Sequence, residues 1–231
     1  MKCCAVIPAA GVGQRMGADI PKQYLPLAGR TVIDWSIDKL LEHPAVDAVM
    51  VALGRDDPYW QGTEYAAHPS VERVDGGAER CNSVLNALDA LSGQADLDSW
   101  VLVHDAARPC VDADDINALI DMVVQKQLVG GLLGMPVRDT MKLTDHLNQV
   151  TETVERDRLW HAFTPQMFKL GALRTALVEA LAAGVQVTDE ASAMEWAGHQ
   201  PMMLEGRGDN IKITRPADLE LAEFYLRSNP G

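Results

Sequence analysis

The chain has 231 residues, 47% hydrophobic and 5% aromatic, long enough to bury a core without disulfides or a structural metal. Twenty Lys and Arg face thirty-three Asp and Glu, a net charge of −13 that argues against holding nucleic acid or an anionic membrane by bulk charge. A small anionic ligand stays open to such a chain where a few cations converge.

The length suits one domain of roughly 200 residues or two small ones, and the chain is read as a single domain over 1–231. Cys3, Cys4, Cys81 and Cys110 form no Cys-x-x-Cys pair and read as reduced thiols of a cytoplasmic protein. The first apolar run, ended by Pro8, is too short for a signal-peptide core or a membrane span.

In chain order, Cys3–Ile7, Ala48–Leu53, Val71–Val74, Trp100–Val103 and Val129–Met135 read as buried strands, brief and mostly rich in Val or Leu. Between them, apolar residues recur at helical spacing. Thr31 precedes Val32, Ile33, Ile37 and Leu40 as a candidate N-cap, and Asp112 precedes Ile116, Leu119, Ile120 and Val123. Val84, Leu85, Leu88 and Leu91 repeat the pattern. Pro136 to Val154 breaks it, with two polar-rich β segments around Asp145–Asn148. A two-stranded arm is marginal alone in water, so this hairpin is expected to lean on another chain, or else to cap its own sheet. Further helices are expected from Leu170 to near Gly184, from Asp189, and after Pro216. The alternation predicts an α/β fold of the Rossmann-like, doubly wound kind, with a mainly parallel sheet and a protruding β-hairpin.

Four segments carry chemistry. Strand one runs into Pro8-Ala9-Ala10-Gly11-Val12-Gly13-Gln14-Arg15-Met16-Gly17, followed by Pro21-Lys22-Gln23. Such a turn exposes N–H groups that can cradle phosphate, but Met16 takes the place of the third glycine of a dinucleotide fingerprint. Gly-x-Gly alone is equally a tight turn; Arg15 and Lys22 beside it sharpen the reading. His104-Asp105-Ala106-Ala107-Arg108 follows another strand, where a carboxylate can sit near a nucleotide's Mg²⁺ or simply cap a turn. No nucleophile is spaced for His104, which reads as structural. Asp75-Gly76-Gly77 through Ser83 is an ordinary strand–turn–helix junction that could also let a flat base approach. Lys212, in Asn210-Ile211-Lys212-Ile213-Thr214, means little by itself.

Together these segments resemble one family. Pro-Ala-Ala-Gly-x-Gly-x-Arg-Met, Pro-Lys-Gln, Gly-Gly-x-x-Arg-x-x-Ser-Val, His-Asp-Ala-Ala-Arg-Pro, Pro-Val-x-Asp-Thr, Leu-Trp-x-x-x-Thr-Pro-Gln, Thr-Asp-Glu-Ala and Asn-Ile-Lys-Ile-Thr stand in family order over residues 5 to 227. The set is similar to the 2-C-methyl-D-erythritol 4-phosphate cytidylyltransferases, CTP-using enzymes of isoprenoid precursor synthesis. The resemblance implies that Arg15, Lys22 and Lys212 bind the CTP phosphates, Arg15 and Lys22 being the chief catalytic pair. It implies that Ala9, Ala10, Gly11, Gly13, Gly77 and Ser83 hold the nucleotide, and that Asp105 sits near Mg²⁺ and the α-phosphate. It further implies a homodimer whose arm carries Thr140 and Arg156 to the neighbouring subunit's site, where Arg108, Thr164 and Thr188 complete the acceptor pocket. Asn82 and Glu155 depart from the family's frequent Asp, which leaves the hydrogen bonding beside Ser83 open. Rival readings are a nucleotidyltransferase for another sugar or alcohol phosphate, and a silent nucleotide-binding scaffold.

Overall fold

The computed structural model describes residues 2–11 and 20–228. Strands β1 (Cys3–Pro8), β4 (Val46–Leu53), β5 (Val71–Asp75), β6 (Trp100–Val103), β7 (Gly130–Pro136), β10 (Trp160–Lys169) and β11 (Met202–Glu205) form one sheet in the order β11-β7-β10-β6-β1-β4-β5. β1 pairs parallel with β4 and β6, as do β4 with β5 and β7 with β11; β10 runs antiparallel to both its neighbours. The mainly parallel α/β expectation holds.

Side-chain alternation along the central strands feeds two cores. Ala5 and Ile7 of β1, with Val49, Val51 and Leu53 of β4, face α1 (Val32–Leu41) and α3 (Ala113–Gln125). Val6, Met50, Ala52, Val101 and Val103 face the other way, onto α2 (Arg80–Ser92), α4 (Leu170–Ala182) and α5 (Glu190–Trp196). Nearly all of this surface is fully buried, at roughly 25 cal/mol per Å² of apolar area removed from water. α6 (Pro216–Ser228) closes a smaller cluster against Leu27 of a short ribbon formed by β2 (Pro26–Leu27) and β3 (Arg30–Thr31).

The helix starts follow their caps. The Thr31 hydroxyl accepts from the Asp34 N–H while the Asp34 carboxylate accepts from the Thr31 N–H, a reciprocal box. Asp112 caps α3 through the Asp114 N–H, and Asp189 caps α5 through the Ser192 N–H. α4 stops where Gly184 takes φ +70°, a conformation glycine adopts without a Cβ clash.

β8 (Met141–Thr144) and β9 (Val150–Val154) form their own antiparallel ribbon, nearly all of it exposed, so the hairpin does not cap the main sheet. Its strands are shorter than the sequence suggests: Pro136 ends β7 and Val137 is buried. The sequence reading lacked β10 and β11. β10 carries Pro165, which argues against a central strand, but the ladder with β7 is interrupted between Ala162 and Gln166, where no Pro N–H is required.

Candidate active site

The site forms at the carboxyl ends of β1, β5 and β6, where a parallel sheet leaves its crevice. A cavity of about 300 Å³ is lined there by Ala9, Ala10 and Gly11 after β1, Gly77 and Ser83 around the start of α2, and Asp105 after β6. Lys22, Arg80 and Lys212 bring positive charge to the same hollow. Eight of the residues expected from sequence therefore converge. Gly13 and Arg15 lie outside the described residues.

Local folding explains each placement. Gln23 is buried and donates from Nε2 to the Ala9 carbonyl (2.8 Å) and the Gly11 carbonyl (3.1 Å), pinning the start of the glycine loop. Lys22, beside it in a 3-10 turn, donates to the Ile213 carbonyl at 2.7 Å, which ties that turn to the segment holding Lys212. Gly76 leaves no room for a side chain: a Cβ would meet the Ala10 Cβ at 2.5 Å. The Gly77 N–H donates to the Ser83 hydroxyl (3.0 Å), which donates in turn to the Glu79 carbonyl (3.1 Å). Asn82 accepts from the Glu79 N–H at 3.2 Å, so the departure at that position serves the helix start.

Asp105 is the electrostatic centre. Its Oδ1 accepts from Arg80 Nε at 2.9 Å; its Oδ2 lies 2.8 Å from Lys212 Nζ and 3.5 Å from Arg108 Nε. Burial would raise this carboxyl's pKa, but Arg80, Lys212 and Arg108 outweigh it and hold the group ionised, far below the usual carboxylate range. Arg80 is clamped from behind by Glu190, only 1% exposed, whose Oε1 and Oε2 accept at 2.6 and 3.0 Å. Burial weakens the Arg80 charge, yet Glu190 and then Asp105 more than restore it.

His104 is fully buried and structural, as the sequence suggested. The Thr164 hydroxyl accepts from the Asp105 N–H (3.0 Å), and because the neutral His104 ring keeps its proton on Nε2, facing a carbonyl that can only accept, the hydroxyl donates to the bare Nδ1 (3.0 Å). His104 Nε2 then donates to the Arg108 carbonyl at 2.9 Å. Burial pushes this imidazole down to about 4, so it is neutral at pH 7.

The expected acceptor residues do not line the cavity of this chain. Arg108 is buried behind Asp105, donating to the Asn210 carbonyl (2.6 Å) with its guanidinium 4.8 Å over the Phe163 ring. Thr164 spends its hydroxyl as described. Thr188 is exposed ahead of α5; Thr140 and Arg156 are exposed at the hairpin's base, where Arg156 donates to the Arg138 carbonyl. Sequence reasoning quoted Arg80 and Glu190 inside motifs without giving either a task. An arginine opening a helix and an acid in a first turn are too common to stand out.

A doubly wound sheet with a cation-lined hollow at its strand ends fits a nucleotidyltransferase, the class to which the comparisons with known proteins assign the chain. Residues 3–228 match the family model IspD, 2-C-methyl-D-erythritol 4-phosphate cytidylyltransferase, and the chain belongs to that family. It is 55% identical to the 2-C-methyl-D-erythritol 4-phosphate cytidylyltransferase of Vibrio cholerae over 97% of this chain and 96% of that one. The Pseudomonas aeruginosa enzyme of the same name is 57% identical, over 93% and 92%. The crystal structure of the Francisella tularensis enzyme superposes with a TM-score of 0.86 at 38% identity, covering 98% of this chain and all of that one. The reaction is transfer of the cytidylyl group of CTP to 2-C-methyl-D-erythritol 4-phosphate, in isoprenoid precursor synthesis.

Proposed function

We propose that this chain performs cytidylyl transfer by charge stabilisation alone, with Lys22 and Lys212 on the CTP phosphates, Arg15 joining them from the glycine loop, and no general base. The observation that carries this is the convergence of Lys22, Arg80 and Lys212 on one hollow in a molecule of net charge −13. The acceptor is a phosphate monoester with a second pKa near 6. It is largely dianionic at pH 7 and already a nucleophile. One of its oxygens attacks the α-phosphorus; the new P–O bond forms as the bond to the β-phosphate oxygen breaks, and pyrophosphate leaves. Two polyanions must meet, and fixed cations in a partly dry site offset their repulsion better than water does. Ala9, Ala10, Gly11, Gly77 and Ser83 hold the base and ribose in this reading.

Among the described residues there is no group of three or more His, Cys, Asp or Glu able to cage a metal. Asp105 is one carboxylate with both oxygens facing cations. That donor set suits a divalent ion brought in on CTP oxygens with Asp105 near it, since Mg²⁺ is commonly held by substrate phosphates and one or two carboxylates. Bound there, Mg²⁺ supplies positive charge to the phosphate oxygens. The catalytic unit is a cytoplasmic homodimer, single-domain in each subunit, whose exposed arm brings Thr140 and Arg156 to the partner's acceptor site beside Arg108, Thr164 and Thr188. Leu143, Leu147 and Val150, all more than half exposed on the arm, support a partner there. Pyrophosphate release from CTP and the acceptor tests the metal: EDTA is expected to abolish it and added Mg²⁺ to restore it. Full release in EDTA overturns the metal's part.

A further inference from the structure

Among the described residues three cations hold Asp105; two are locked and one is not. Arg80 uses Nε on Asp105 and both terminal nitrogens on Glu190. Arg108 is buried, bonded to Asn210 and stacked on Phe163. Lys212 lines the cavity with its side chain 36% exposed, and an ammonium on a flexible stem can change partners where a planar fork cannot.

We propose that Arg80, pinned by Glu190, is the standing counter-ion of Asp105 and thereby releases Lys212 to the phosphates of the bound nucleotide. When Lys212 turns to phosphate, Asp105 loses its closest contact. A buried carboxylate left with only Arg108, 3.5 Å away and not hydrogen-bonded to it, is costly, so Lys212 would stay where it is unless a closer cation already holds Asp105. Arg80 provides that hold from the cavity lining, where it opens α2 three residues after Gly77. Glu190, the first residue of α5, is buried outside the cavity lining and fixes the guanidinium through both carboxylate oxygens. Arg80 and Glu190 are thus positioning residues that act through Lys212.

This inference rests on Lys212 binding nucleotide phosphate, and a double-mutant cycle separates the two ideas. Replacing the pair together, Arg80→Met with Glu190→Leu, leaves no unpaired charge at position 190 and leaves Asp105 to Lys212 and Arg108. The paired change is expected to lower kcat/KM for CTP about 30- to 100-fold, on the scale of losing one fixed donor. In a Lys212→Ala background it is expected to cost less than about 3-fold, because no lysine remains to be released. A purely structural tether between α2 and α5 would instead cost the same factor in both backgrounds, and that result overturns the proposal. If Lys212→Ala alone leaves kcat/KM unchanged, the phosphate-binding reading of Lys212 fails, and this inference with it. Thermal unfolding confirms that each variant is folded. Should the paired variant not fold, Glu190→Gln, which loosens Arg80 while keeping one acceptor, goes through the same cycle under the same criterion.

Discussion

His104 and Asp105 are neighbours with opposite tasks, one kept neutral and the other kept charged. The imidazole sits in a hydrogen-bond chain that needs a bare Nδ1, and burial pushes its pKa from the ordinary 6.5 down to about 4. In the unfolded chain it returns to the ordinary value, so between those values the unfolded state binds the extra proton. The stability carried by neutral His104 is therefore complete above about pH 6.5 and is lost as pH falls towards 4, on the order of 3 kcal/mol in all. The thermal midpoint is expected to fall across that window, and His104→Gln, less stable at pH 7, is expected to show a shallower fall. An equally steep fall in that variant would assign the titration elsewhere. At this scale the sequence marked Lys22, Asp105 and Lys212 because motif and charge coincide there. It did not mark Arg80 and Glu190, whose pairing spans 110 residues and exists only once α2 and α5 have both packed against α4.

Elements were legible where one physical signal dominates. The central strands β1, β4 and β6 are apolar on both faces because helices cover both, and Thr31, Asp112 and Asp189 announce their helices by capping chemistry. β10 was hidden by an exposed first half and by Pro165, and β11 is a half-exposed strand at the sheet's edge, with no periodicity to betray it. The hairpin was legible by its lack of a core face, and that lack makes the dimer arm testable. Arg15→Ala chains and Arg156→Ala chains are each expected to be nearly inactive as homodimers. Mixed into heterodimers, they are expected to regain up to half the wild-type activity per dimer, since one composite site then keeps both arginines. Verified heterodimers without recovered activity would contradict exchange of the arms.

Across the whole molecule, an acidic exterior surrounds a positive hollow. A surplus of thirteen negative charges repels nucleotides at long range, so affinity must come from Lys22, Lys212 and their neighbours at close quarters. Among the described residues no helix is long and apolar enough to cross a membrane. The sheet supplies the rigidity: the loops after β1, β5 and β6 leave the same end of its parallel run β6-β1-β4-β5 and are held by Gln23, Ser83 and Thr164. The most direct measurement is turnover of Lys22→Ala with CTP and 2-C-methyl-D-erythritol 4-phosphate both saturating, followed by pyrophosphate release. With the fold intact by circular dichroism, turnover is expected to drop about 10²- to 10³-fold, the usual consequence of removing one fixed donor from the developing charge. Turnover within a few-fold of the unmodified protein would contradict charge stabilisation as the source of its catalysis.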